Sequence, residues 1–261
     1  MGRLTTASGY YSTAMGYLTT ASGTATTTMG ESSKAIGYAS TAMGYSTTAS
    51  GISSTAMGRH TTASGEESTS MGLGTTSESF AETVMGTFNT DYTPTSTNSY
   101  TSSDRLFVIG NGTSSSALSD ALVMLKNGNT TFSGTVTATV VAPTSDIRLK
   151  RNIVPLKKGI EALMQLNPVS YEKKNNLSSN DYSIKENGFI AQELKKVMPS
   201  LVVEGTDKDK LLSVNYTAII PILTKAIQEQ QANIKSLEKN AEEQQKQIVE
   251  LKKMVEQLLK K

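Results

Sequence analysis

Residues 13–30 read T-A-M-G-Y-L-T-T-A-S-G-T-A-T-T-T-M-G, and this stretch decides the fold because it recurs. Methionine returns every fourteen residues, at Met1, Met15, Met29, Met43, Met57, Met71 and Met85. Glycine returns every seven, from Gly2 to Gly72 and again at Gly86, with one break at Ser79. A short period held this long marks one small unit stacked on copies of itself. Residues 1–90 make twelve such steps, T-A-S-G-x-x-S/T alternating with T-A-M-G-x-x-S/T. Each step suits a short extended segment and a tight bend, with Gly supplying backbone angles that other residues resist. A coiled coil needs apolar residues three and four apart, and Gly at every seventh position breaks a helix. The pattern predicts a β-solenoid in which fourteen residues form one two-strand coil. Met and Ser then mark large and small inward positions, with Ile36 and Glu78 as exceptions at the Ser sites. A disordered Ser/Thr/Gly linker, the alternative, does not hold register over so many steps.

Composition sets outer bounds. Aromatics are 6% of 261 residues, Trp is absent, and Ser and Thr dominate the repeats, so this part must stack on itself or on other chains. A net charge of +2 points to neither nucleic acid nor an anionic membrane as partner. The absence of Cys excludes disulfides, thiolate nucleophiles and cysteine zinc sites. His60 is the single histidine, which leaves little for a histidine metal cluster or a serine-histidine-acid triad; no metal or cofactor is expected. No apolar run spans a bilayer, so no membrane insertion is expected in this segment, and no basic-then-apolar leader precedes the repeats. Met1 falls in register with the other methionines, which predicts an internal stretch of a longer protein with its export or address signal upstream.

Residues 91–144 lose the register and read as a β-rich connector. Asp91 to Asp104 is loop-like, and Leu106–Ile109 and Leu122–Leu125 read as short buried strands between Gly- and Asn-containing turns. Thr135–Val141 alternates like a further strand, ended by Pro143. Residues 145–218 predict a compact α+β module. Ile160, Leu163 and Met164 line a short helix after Gly159, and Val169-Ser170-Tyr171 reads as a strand. Phe189, Ile190, Leu194 and Val197 mark a second helix ended by Pro199, and Leu211–Val214 a brief strand. Residues 219–261 carry a heptad seam. Ile220, Ile227, Ile234, Ala241, Ile248 and Val255 fill one position, and Leu223, Gln230, Leu237, Gln244, Leu251 and Leu258 the other. Pro221 fits only in the first turn. A lone helix with this seam exposes it, so the tail needs partners. Peptide rules for such seams lean toward two strands, and polar seam positions shift that choice.

The junction A-P-T-S-D-I-R-L-K-R-N-I, residues 142–153, is where reactive side chains gather. On residue type alone, Ser-Asp before an apolar segment is a turn or helix start, and Lys a solvated charge. The wider pattern adds to this. S-D-I-R-L-K-R-N-I at 145–153, L-N-P-V-S-Y at 166–171, G-F-I-A-Q-E-L at 188–194 and V-N-Y-T-A-I-I-P-I-L at 214–223, followed by the coiled coil, stand in order. Together they resemble the C-terminal intramolecular chaperone domain of endosialidase-type phage tailspikes, a self-cleaving family. The S-G/M-G alternation separately resembles the left-handed β-roll heads of trimeric bacterial surface adhesins.

The first resemblance implies cleavage of the Thr144–Ser145 bond, with Ser145 as nucleophile, Lys150 as general base, and Asp146 and Arg148 in support. In such chemistry Ser145 Oγ attacks the Thr144 carbonyl, the acyl group moves from nitrogen to oxygen, and water opens the ester. A lysine base must be neutral, which burial or nearby positive charge favours; Arg148 and Arg151 are candidates for the latter. A spacing of five puts the two side chains on opposite faces of a strand and well apart around a helix, so they meet only across a bend or between chains. The two resemblances imply a homotrimeric fibre at a cell surface or on a virion tail, an adhesin or tail fibre with an unidentified cell-surface or glycan receptor. Tyr10, Tyr11, Tyr17 and Tyr38 read as packing before receptor contacts. Two alternatives remain open: a structural stalk that never cuts, and a polysaccharide depolymerase. The latter needs paired carboxylates in a cleft, and the repeats offer only Glu31, Glu66, Glu67, Glu78 and Glu82, without a distinctive pairing.

Overall fold

A computed structural model describes residues 2–157, 159–174, 177, 180–205 and 210–259, so Met1 and the last two residues of the predicted coiled coil lie outside the described residues. The chain divides into two units, residues 1–141 and 142–261.

The first unit is the predicted solenoid. β1 (Thr6–Ala7), β2 (Thr13–Tyr17), β3 (Thr20–Ala21) and β4 (Thr27–Glu31) set the pattern of a short strand followed by a long one. β5 (Lys34–Ala35), β6 (Thr41–Tyr45), β7 (Thr48–Ala49) and β8 (Thr55–Arg59) repeat it. β9 (Thr62–Ala63), β10 (Thr69–Leu73), β11 (Thr76–Ser77) and β12 (Thr83–Thr87) complete six coils. Short strands pair with short and long with long, all parallel, so that Met15 meets Met29, Met29 meets Met43 and Gly44 meets Gly58. Fourteen residues are one turn of the coil.

The inward positions differ from expectation. Ala21, Ala35, Ala42, Ala49, Ala56 and Ala63 are fully buried, whereas the methionines are only half-buried or exposed, as are the serines before Gly. Successive side chains on a strand point to opposite faces, so in T-A-M the Ala turns inward and the Met outward. A coil this small has room inside for a methyl or a hydroxyl, not a thioether. Buried Ser and Thr columns line the rest of the interior and bond one another: Thr47 Oγ1 donates to Ser33 Oγ at 2.9 Å, and Ser33 Oγ donates to the Gly44 carbonyl at 3.0 Å. The tyrosines expected to pack, Tyr10, Tyr11, Tyr17 and Tyr38, are exposed.

The glycine ladder serves stacking more than bending. A Cβ at Gly51 would lie 2.0 Å from the Gly65 carbonyl oxygen although Gly51 has no left-handed backbone. At Gly58 both constraints meet, with φ +120° and 2.1 Å to the Gly72 oxygen. The left-handed corner after M-G-x is taken by ordinary residues such as Leu18, Ser32, Ser46 and His60, and by glycine at Gly74.

β12 then pairs in parallel with β13 (Arg105–Asn111), placing Met85 beside Ile109 and Gly86 beside Gly110. β14 (Asp120–Leu125) and β15 (Thr130–Phe132) follow antiparallel, so the long-strand sheet runs on beyond the repeats. The short-strand sheet stops at β11, and side chains finish it. In inner coils the Thr62 and Ser64 amides donate to the Thr75 and Ser77 carbonyls of the next coil, and Gly65 N also donates to Ser77 O. In the last coil Thr76 N donates instead to Asn89 Oδ1 at 2.8 Å, and Glu78 N and Ser79 N to Glu82 Oε2 at 2.8 and 2.9 Å. Two side chains thus replace the carbonyls of a missing coil. Ser79 breaks the glycine ladder because its hydroxyl ties this end to β13, donating to the Arg105 carbonyl at 2.6 Å and accepting from Lys126 Nζ at 2.9 Å. The loop over residues 91–104 is pinned by buried Asp104, which accepts from Tyr92 Oη, Thr95 N and Ser96 N. The strand expected at Thr135–Val141 does not form: the segment is irregular and exposed, with Val141 at 84% exposure, and no described strand pairs with it.

In the second unit, α1 (Ile160–Leu163) is a single turn, shorter than expected, and Met164 lies past its end and faces solvent. β16 (Val169–Lys173) and β17 (Ile184–Gly188) form a hairpin, and α2 (Ala191–Val197) begins just after Phe189 and Ile190. β18 (Val202–Glu204) pairs with β19 (Leu212–Val214). α3 (Ile220–Leu259) is one continuous helix with Pro221 in its first turn, as the sequence requires. Leu194, Met198, Leu201 and Ile219 form the small core, with Phe189, Leu166 and Ile222 against it. Beyond that core the heptad seam is bare: Ile227, Ile234, Leu237, Ile248, Leu251, Val255 and Leu258 are all exposed.

Candidate functional site

The junction motif folds as one local bend. Asp146 caps a single 3-10 turn, Ile147–Leu149, by accepting the Arg148 amide at 2.8 Å. The same carboxylate takes the Arg148 guanidinium in a fork, Nε to Oδ1 and Nη2 to Oδ2, both at 2.9 Å. The hydrogen bonds from the Arg148 side chain, then from its amide, hold the Asp146 carboxyl below the usual carboxylate range and push the guanidinium up. The turn closes with Leu149 N donating to Asp146 O and Lys150 N to Ile147 O, after which the chain is extended again.

This bend brings the two expected reactive side chains together. Lys150 Nζ donates to Ser145 Oγ at 2.5 Å. Within this one chain the five-residue spacing is closed by a bend. Thr144, Ser145, Asp146, Arg148 and Lys150 are all exposed. Arg148, one of the two arginines named as candidates to lend positive charge there, turns its guanidinium to Asp146. Geometrically the arrangement can pass a proton between a hydroxyl and an amine; a carbonyl beside Ser145 is that of Thr144, its own neighbour in sequence.

Sequence reasoning missed how the motif is tethered. The amides of Gly159 and Ile160, at the start of α1, donate to the Glu229 carboxylate on α3 at 3.0 and 2.9 Å. Those two amides, Ile160 first, lower the Glu229 carboxyl from its ordinary value. A Cβ at Gly159 would lie 2.3 Å from the Ala226 nitrogen, so only glycine permits this approach. Gly188 has a like role: a Cβ there would meet Tyr216 Oη at 2.2 Å, and that hydroxyl accepts the Phe189 amide at 3.1 Å. Gly159 and Glu229 stand 70 residues apart, and such a contact leaves no mark in local spacing. Among the described residues, no group of three or more His, Cys, Asp or Glu side chains is arranged for a metal, and no helix is long and apolar enough to cross a membrane.

Comparison with known proteins agrees with both halves of this architecture. Residues 145–203 match the chaperone of endosialidase family. Residues 7–30, 35–61 and 49–75 match the YadA head domain repeat. Curated relatives include the long tail fiber protein Gp37 of Enterobacteria phage K3, 35% identical over 96 residues, which is 36% of this chain and 8% of that fibre. The same protein of Escherichia phage AR1 is 36% identical over 87 residues, 33% of this chain and 8% of the fibre. That of Enterobacteria phage M1 is 35% identical over 99 residues, 36% of this chain and 38% of the relative. The chain thus spans well under half the length of the fibres it matches. It joins YadA head repeats to a chaperone-of-endosialidase domain.

Proposed function

We propose that this chain is part of a homotrimeric tail fibre whose C-terminal region assembles three copies and then cuts itself away at Thr144–Ser145. In this reading residues 1–90 are the fibre head, 91–144 a connector, 145–218 the autoprocessing chaperone and 219–261 the coiled coil that gathers the copies. The observation that carries the chemistry is the 2.5 Å hydrogen bond from Lys150 Nζ to Ser145 Oγ within one bend. Ser145 Oγ bonds to the Thr144 carbonyl carbon and its proton passes to neutral Lys150. The Thr144–Ser145 C–N bond then breaks as Lys150 returns the proton to the leaving amine. Water hydrolyses the resulting ester, leaving a Thr144 carboxylate and a free Ser145 hydroxyl.

Assembly is supported by the apolar surface that one copy leaves uncovered: the α3 seam and the outward methionine ladder, Met29 beside Met43 beside Met57. Exposure of the dyad in a single copy fits a site that neighbouring copies enclose, which is also what a neutral lysine requires. Aligning three chains at the coil lowers the cost of starting long-range β pairing. The free fibre then serves attachment to a cell, on the virion. Denaturing gels of freshly expressed protein test the cut: wild type gives pieces of 144 and 117 residues, and Ser145→Ala or Lys150→Ala one intact band. A single band from wild type at all times favours the non-cleaving stalk.

A further inference from the structure

One column of the solenoid surface is used neither by its core nor by the cleavage chemistry. Strand register stacks Arg3, Tyr17, Glu31, Tyr45 and Arg59 one coil apart. All five are exposed, the rings of Tyr17 and Tyr45 at 36% and 41%. The Arg3 guanidinium carbon lies 5.8 Å from the Tyr17 ring centre and that of Arg59 5.6 Å from the Tyr45 centre; His60 meets Tyr45 edge-on at 5.3 Å. Rings braced in this way have little freedom left to lose on meeting a ligand. Further along, the column passes to Leu73 and Thr87, so the ridge belongs to the N-terminal coils.

We propose that this ridge binds an extended glycan on the surface of the target cell, an inference that rests on the attachment role above. Strands in a sheet lie about 4.8 Å apart, so Tyr17 and Tyr45, two coils apart, stand about 9.6 Å apart. That span is comparable to two sugar rings of an extended polysaccharide. A pyranose presents an apolar C–H face, which packs on an aromatic ring, and a rim of hydroxyls, which bond charged side chains. The column supplies both in alternation: rings at Tyr17 and Tyr45, a carboxylate at Glu31 between them, and guanidinium groups at Arg3 and Arg59 at the ends. A second copy is a poor occupant. In a parallel, in-register pair in which this column faced its own copy, Arg3, Glu31 and Arg59 would each oppose their own counterparts, and opposed like charges repel.

The test measures adsorption of fluorescently labelled full chain to Escherichia cells, the genus in the name of one relative's phage, that are untreated, periodate-oxidised or proteinase-treated. The expected result is adsorption abolished by periodate and kept after proteinase. The Tyr17→Ala/Tyr45→Ala double variant should bind at least tenfold more weakly, with thermal unfolding and sedimentation unchanged. Ile52→Ser, altered at an exposed position of the opposite turn, should bind as wild type. A double variant that adsorbs like wild type overturns the ridge and leaves attachment standing. Proteinase-sensitive, periodate-resistant adsorption overturns it in favour of a protein ligand, and altered sedimentation of the double variant in favour of contact between copies. Failure of wild type to adsorb to any of the cells overturns ridge and attachment together, while the cleavage gel still judges assembly and processing.

Discussion

The repeats, poor in bulky side chains, and the C-terminal unit, rich in Ile and Leu, bury what they have in opposite ways. The solenoid closes a narrow interior of alanine methyls and Ser/Thr hydroxyls within one chain, coil upon coil, and ends it with two side-chain caps. The C-terminal unit gathers a core around Leu194 and Ile219 and then sends out a helix of 40 residues whose Ile and Leu seam is bare. The difference teaches where each part takes its stability. Each coil contacts only its neighbours, so the solenoid is supported locally, whereas the helix carries an apolar seam that one copy leaves uncovered. In the proposed trimer that seam is where copies meet, and Ser145 and Lys150 belong to the same unit of the chain.

The largest effect should come from the seam. Ile227→Asp with Leu237→Asp puts charge where apolar side chains must meet, and assembly should be lost outright. Sedimentation should then give the mass of one chain, and the cleaved fraction on denaturing gels should fall at least tenfold. A variant that still assembles and cuts would erase the contrast between the two units.

Next is the glycine ladder. Gly58→Ala forces a methyl to 2.1 Å from the Gly72 oxygen at φ +120°, an overpacking worth about 3 kcal/mol against the repeats. Calorimetry should show the solenoid transition lowered while seam-driven assembly persists; loss of both would mean that the two units are not supported separately. A smaller cost attaches to the cap. Glu82→Ala leaves the Glu78 and Ser79 amides without their acceptor, and about 1–3 kcal/mol is expected from urea unfolding. No change would mean that the terminal coil is closed by other means.

How much of this was legible in the chain depended on whether the controlling contact was periodic. The coil length, the β architecture and the seam follow from spacings of fourteen and seven, and each is present. The inward residue of T-A-M was misjudged because periodicity gives a face, not the width of the space behind it. Thr135–Val141 alternates correctly but has no partner strand among the described residues, and alternation alone makes no ladder. Glu78 and Ser79 were visible as breaks in the pattern, yet their meaning required knowing that no coil follows to offer carbonyls. At the junction, the spacing of Ser145 and Lys150 said that either a bend or a neighbouring chain was needed; that Asp146 caps a local turn was within reach of local rules. The Glu229 tether to Gly159 was not, since nothing near either residue announces the other.

The smallest effect is one of pH. Burial, opposed by the hydrogen bonds from Ser79 and Glu78, raises the Glu82 carboxyl above the ordinary 4.5. The folded solenoid therefore binds this proton more tightly than the unfolded chain. The resulting stability is fully present below 4.5 and is lost as pH rises through the raised folded value. The solenoid's melting temperature should drift downward over that window, and Glu82→Gln should flatten the drift. A melting temperature that climbs instead would contradict the assigned sign.

The most direct measurement is sedimentation equilibrium of the full chain carrying Ser145→Ala, which keeps the coiled coil attached. The account predicts a single species of three times the 27.8 kDa chain mass. A well-folded species at 27.8 kDa that stays monomeric as concentration is raised would contradict it.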